Sequence, residues 1–140
     1  MGWLFLTLLS LDLTGVKSEP NLERRSELAL VNANSALDAV RQAYDAGDPD
    51  KTGAALKEVE ESVDLAYDSL SQTGKDPRGN PKYFKRAEMS IRLLMRRLEG
   101  VAQNFSVTDR PGIEAVRTHI SEVHDNLIQG IMSKKKKGAK

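Results

Sequence analysis

The stretch from residue 81 to residue 105 carries the strictest periodic pattern in this chain. Its apolar side chains recur at alternating intervals of three and four residues: Phe84, Ala87, Ile91, Leu94, Leu98, Val101 and Phe105. Residues with this spacing lie on one side of an α-helix, so the pattern predicts a helix with a single apolar stripe. Such a stripe must be covered by other elements, and this restricts the chain to a packed helical assembly.

Three further stretches show helical spacing, within residues 20–45, 49–72 and 108–132. Their predicted inward residues are Leu30, Ala33, Leu37, Val40 and Tyr44, then Leu56, Val59, Val63, Ala66, Tyr67 and Leu70, then Ile113, Val116, Ile120, Val123, Leu127 and Ile131. Between the first two stretches, Gly47 suits a helix end, Asp48 an N-cap and Pro49 a first turn. Thr108 is predicted to cap the last helix. No stretch alternates with period two, so we predict an all-α fold, an antiparallel up-and-down four-helix bundle of two helical hairpins.

The first hairpin, residues 36–70, looks like a tetratricopeptide-type helix–turn–helix in its turn "AYDAGD" and in the alanine and leucine that follow. The tryptophan and glycine positions of that motif are missing, and no 34-residue period continues along the chain. We therefore interpret the likeness as turn chemistry that many helical hairpins share. A shift of 60 or 61 residues also superposes the stripes of the first hairpin on those of the second. Either a duplication or the similar length of the two hairpins explains this match.

Charge is distributed unevenly, although the whole chain has a net charge of +1. The stretch 50–73 has six acidic and two basic side chains, whereas the stretch 81–105 has six basic and two acidic ones. We expect these two stretches to form adjacent antiparallel helices whose flanks attract each other. An acidic strip on the first of them (Glu58, Glu61, Asp64 and Asp68) would then face the basic helix.

The apolar run at residues 3–16 is too short to span a bilayer comfortably but has the length of the hydrophobic region of a signal peptide. Val16 and Ser18 would stand at positions −3 and −1 if cleavage fell before Glu19. No basic residue precedes the run, however, and Asp12 lies within it. We predict a signal peptide at 1–18, a helical bundle domain at 19–132 and a basic disordered tail at 133–140, with a periplasmic or secreted location. The alternative is that residues 1–18 form a first helix packed on the bundle.

The residues that usually carry catalysis are sparse. The chain contains no cysteine, which excludes disulfides, thiolate metal sites and cysteine nucleophiles. His119 and His124 are five residues apart and point about 140° apart around a helix, so they cannot share a metal ion. Met89 and Met95 lie off the apolar stripe, which argues against haem ligation. We therefore expect no enzymatic activity, no cofactor and no metal site.

The remaining candidate sites are basic. The predicted partner-binding residues are Lys82, Lys85, Arg86, Arg92, Arg96, Lys134, Lys135, Lys136 and Lys137. The first five lie on the third helix and the last four in the tail, and both groups suit an anionic partner.

The leading hypothesis is a non-catalytic exported protein, a binding or scaffolding module of a bacterial cell envelope. Its partner would be an unidentified protein or the anionic envelope surface. The first alternative is a nucleic-acid-associated protein that binds backbone phosphates through the tail and the third helix. The second is a carrier of a small apolar molecule between the hairpins. A homodimer is compatible with each of these, and so is a tail that serves only solubility.

Overall fold

The computed structural model describes residues 13–133, and within this range the chain forms helices and no strands. The four long helices are α1 (Leu22–Asp45), α2 (Pro49–Gln72), α3 (Pro81–Gln103) and α4 (Arg110–Met132). Residues 13–17 are also helical. The all-helical prediction is thus confirmed. The predictions for residues 1–12 and for Lys134, Lys135, Lys136 and Lys137 lie outside the described residues.

The turn between α1 and α2 has the predicted chemistry. Gly47 adopts a φ of 73°, in the left-handed region that glycine tolerates best, and its amide donates to the carbonyl of Tyr44. The carboxylate of Asp48 accepts a hydrogen bond from the amide of Lys51 at 3.0 Å, and Pro49 occupies the first turn. These hydrogen bonds, which end α1 and start α2, join residues only three positions apart in the sequence.

The start of α4 differs from the prediction, because the N-cap is Asp109 rather than Thr108. The side chain of Asp109 makes no capping hydrogen bond. The Ser106 hydroxyl accepts from the amide of Asp109 at 3.2 Å and donates to its carboxylate at 2.9 Å, and the Ser106 carbonyl accepts from the amide of Arg110. The Tyr44 hydroxyl donates to the same carboxylate at 3.0 Å. Tyr44 thus links α1 to the turn that precedes α4.

The core consists of the predicted stripes. Every predicted inward residue is buried except Tyr44, Tyr67 and Ile131, which pack against the core while partly exposed. Val16 joins the same core at 8% exposure and is the one buried residue among residues 13–18. The four helices therefore share one hydrophobic core.

Ion pairs along the helices show how the two hairpins are arranged. Arg86 of α3 pairs with Glu27 of α1, and Arg97 of α3 pairs with Asp38 of α1, so these neighbouring helices run parallel. His119 of α4 pairs with Asp64 of α2 on the other side of the molecule. The chain direction alternates from helix to helix, but the two hairpins lie side by side, with α1 beside α3 and α2 beside α4.

The predicted pairing of the acidic α2 with the basic α3 is wrong. The two helices lie diagonally across the core with few contacts, and no ion pair joins them within residues 13–133. In the acidic strip, Glu58 accepts a hydrogen bond from Asn32 of α1 at 2.9 Å, and Asp64 binds His119.

The physical reason for this difference is one of magnitude. An exposed ion pair contributes about 0.2–1 kcal/mol, whereas burying one large apolar side chain contributes about 1.5–3 kcal/mol. The charges on α2 and α3 are therefore too weak to decide which helices become neighbours, and they pair with whatever side chains lie within reach.

Candidate binding surface on the third helix

The predicted basic residues of α3 all lie on the surface. Lys82, Lys85, Arg86, Arg92 and Arg96 are each exposed, because the apolar stripe occupies the opposite side of the helix. Their contacts divide them into two groups, those that already pair with a carboxylate of the protein and those that do not.

The first group is already neutralised. Arg86 donates to Glu27 at 2.8 Å, and Arg92 makes two hydrogen bonds of 2.8 and 2.9 Å to the carboxylate of Glu88 one turn earlier. A bidentate guanidinium–carboxylate pair of this kind is short and well oriented. An incoming anion would have to compete with these partners.

The second group, Lys82, Lys85 and Arg96, is named here the basic strip. Within residues 13–133 none of these three side chains has a carboxylate at ion-pair distance. The ammonium of Lys82 lies 5.3 Å from the ring centroid of Tyr83, a contact that leaves its charge available. The basic strip therefore carries three cations that an external anion can bind.

The C-terminal end of α4 lies at the end of the molecule where the basic strip begins. The connection between α2 and α3 folds over the end of α4, since a Cβ on Gly130 would lie 3.2 Å from Cγ of Pro77. This connection also carries Lys75 and Arg78, and it leads directly into Lys82. The fold thus brings Lys82 and the end of α4 at Met132 to the same end of the molecule, although they are fifty residues apart in the sequence.

A buried polar cluster between α3 and α4 was not predicted. Glu88 is only 8% exposed and accepts hydrogen bonds from Arg92 and from Nε2 of His124, the latter at 2.8 Å. The hydrogen bonds from Arg92 hold the pKa of Glu88 below its ordinary value against the opposing effect of burial, and His124 contributes in the same direction. The sequence signal was available, because Glu88 adjoins Ala87 of the stripe and precedes Arg92 by four residues.

The second histidine links α2 to α4. Nε2 of His119 lies 2.7 Å from Asp64, and Nδ1 lies 3.6 Å from Glu60. The hydrogen bond to Asp64 raises the pKa of His119, and the charges of Asp64, Glu60 and Glu122 add to this effect. Each histidine is therefore a partly exposed contact between two helices.

This contact makes stability depend on pH. Because the folded state raises the pKa of His119, its stabilising contribution is complete below the ordinary value of 6.5 and is lost as the pH rises through the raised pKa. We compare the urea midpoints of the wild type and of His119→Gln at the same pH. As the pH rises from about 5.5 to about 8, the midpoint of the wild type should decrease relative to that of the variant. Parallel pH profiles of the two proteins would contradict this assignment.

A groove between α1 and α3 was also missed by the sequence reasoning. It has a volume of about 460 Å³, and Val31, Met89 and Leu93 line it while remaining more than half exposed. These side chains lie outside the predicted stripes, and no periodic pattern distinguished them from ordinary surface residues.

The described residues contain no set of three His, Asp or Glu side chains that would hold a metal ion. None of the helices in that part of the chain combines the length and the apolar character that crossing a membrane requires. Comparison with protein families, with curated proteins and with solved structures yields no match to this chain.

Proposed function

We propose that this protein is a non-catalytic binding or scaffolding module of the cell envelope, a four-helix bundle that binds an anionic partner through the basic strip and the tail. The observation that carries the proposal is the contrast between the two groups of cations on α3. Arg86 and Arg92 pair with carboxylates of the fold, whereas within residues 13–133 no carboxylate lies at ion-pair distance from Lys82, Lys85 or Arg96. Cations that the fold does not use are available for recognition and steer an oppositely charged partner to the surface.

Export is part of the same proposal and is supported by the contacts at the start of α1. The N-cap of α1 is Asn21, whose side chain accepts from the amide of Arg24 at 2.9 Å, and Arg25 donates to the carbonyl of Glu19. Cleavage before Glu19 would leave these contacts intact, and among residues 13–18 it would remove one buried side chain, that of Val16, from the core. Mass spectrometry of the protein from the exported fraction tests this part, since a chain that still begins at Met1 would overturn it.

Binding is tested by reversing charges on two faces of the molecule. Tagged wild-type protein, Lys85→Glu/Arg96→Glu and the control Lys51→Glu/Lys57→Glu are each incubated with solubilised envelope extract. The control introduces the same change in net charge on α2, where both lysines are exposed. We expect the wild type and the control to retain the same envelope component, and the basic-strip variant to retain about tenfold less or lower.

Raising the salt concentration should weaken this retention, because the contacts are between exposed charges. Equal retention by all three proteins would overturn the role of the basic strip. Retention of nucleic acid alone would replace the proposal by the nucleic-acid alternative.

A further inference from the structure

The apolar side chains exposed on this molecule are concentrated at the groove between α1 and α3. Of the five large apolar side chains exposed within residues 13–133, three line this groove: Val31 at 63%, Met89 at 55% and Leu93 at 57% exposure. A clustered apolar surface on a folded chain marks a site of association more often than scattered residues do. The basic strip does not line the groove, so its partner and the occupant of the groove are separate questions.

Two ion pairs bracket the apolar part of the groove. Glu27–Arg86 lies towards one end and Asp38–Arg97 towards the other, and each pair joins residues 59 positions apart in the sequence. In both pairs α1 supplies the carboxylate and α3 the guanidinium. The face therefore has an acidic side along α1, a basic side along α3 and apolar side chains between the two pairs.

We propose that this groove is the interface of a homodimer, covered by a second copy of the chain that is related by a two-fold axis parallel to the helices. Such an axis places α3 of each copy over α1 of the other. Leu93 of one copy then lies within about one helical turn of Val31 of the second copy, because both side chains lie between the two ion pairs. The carboxylate of each ion pair then faces the guanidinium of the same pair in the second copy. Two carboxylates and two guanidinium groups therefore alternate in a ring at each end of the interface.

Charge complementarity selects this occupant over others. A uniformly anionic surface or an acidic helix would face the carboxylates of Glu27 and Asp38 on the α1 side. A two-fold axis perpendicular to the helices would stack α3 on α3 and bring Arg86 and Arg97 against like charges. The parallel two-fold arrangement opposes acid to base on both sides, and an isologous interface must be self-complementary in this way.

The first measurement is the oligomeric state by sedimentation velocity over a range of concentrations. We expect wild-type protein to reach twice the chain mass of 15.5 kDa. Leu93→Glu places a carboxylate within the interface and should raise the dimer dissociation constant about 100-fold or more. The matched control is Val107→Glu, which changes an apolar residue that is 79% exposed in the α3–α4 connection, and it should dimerise like the wild type.

The second measurement tests the symmetry. The chain has no cysteine, so introduced thiols report proximity without interference. Val31→Cys and Leu93→Cys proteins are mixed and treated with a short bis-maleimide reagent. The proposed axis predicts cross-links between the two different variants in preference to cross-links within either one, and Val107→Cys should remain uncoupled.

Several results would overturn the proposal. These are a wild-type chain that stays monomeric at all concentrations, a dimer that Leu93→Glu does not weaken, and cross-links that join Leu93→Cys chains to each other. If the wild type were monomeric and bound anionic vesicles or an acidic helical partner, and if the Leu93→Glu variant did not bind them, the groove would be assigned to that partner instead. None of these results bears on the basic strip, which is judged by the Lys85→Glu/Arg96→Glu variant.

Discussion

Replacing Leu98 with alanine is expected to lower the free energy of unfolding by about 2–5 kcal/mol. Leu98 is fully buried in the middle of the α3 stripe, where all four helices contribute to the core. Alanine would remove three carbon atoms that neighbouring side chains can replace only in part, so a cavity would remain. Urea denaturation followed by far-ultraviolet circular dichroism measures the change.

The matched control is Leu93→Ala, the same substitution on the same helix at a side chain that is 57% exposed. It should change the unfolding free energy by about 0.5 kcal/mol or less when measured at a dilution that keeps the chain monomeric. Equal losses for Leu98→Ala and Leu93→Ala would mean that the stripe of α3 does not face the core.

Replacing Glu88 with alanine is the second large effect that we expect, a loss of about 2 kcal/mol in unfolding free energy at neutral pH. The substitution leaves the donor of His124 without a partner in a site where its side chain is only 16% exposed. Arg92 suffers less, because its side chain is 52% exposed and can bind water instead. The measurement is again urea denaturation, with Glu114→Ala as control.

Glu114 also belongs to an ion pair within one helix, with Arg117, but its side chain is 44% exposed. Its removal should cost about 0.5 kcal/mol or less, since exposed pairs contribute little. If Glu114→Ala and Glu88→Ala proved equally destabilising, burial of Glu88 would not be what makes its contacts matter.

Lowering the pH should remove the contribution of Glu88 to the free energy of unfolding. Because the pKa of Glu88 is lowered in the folded state, its contribution is present above the ordinary value of 4.5 and disappears as the pH falls through the lowered pKa. The difference in stability between the wild type and Glu88→Ala should therefore shrink only below the usual titration range of glutamate. A difference that shrank already near neutral pH would contradict this assignment.

The sequence alone determined the helices, their ends and the side that each one buries. Spacing of three and four residues depends only on the geometry of the α-helix, and the signals at Gly47, Asp48 and Pro49 act within a few residues of the turn. This is why the stripes of α1–α4 were predicted almost residue by residue. Two helix starts were exceptions: α1 begins at Leu22, after the cap residue Asn21, rather than at Pro20, and Ser106 rather than Thr108 supplies the side-chain cap before α4.

Which helices became neighbours was decided only by the tertiary structure. Four stripes can be covered in more than one order, and the net charges of α2 and α3 were too weak a force to choose among the orders. Placing α3 beside α1 gave Arg86 and Arg97 their carboxylate partners and left Val31, Met89 and Leu93 around one groove. The local sequence pattern shows which side of a helix must be buried. Which surface remains for binding depends on which neighbouring helix buries that side.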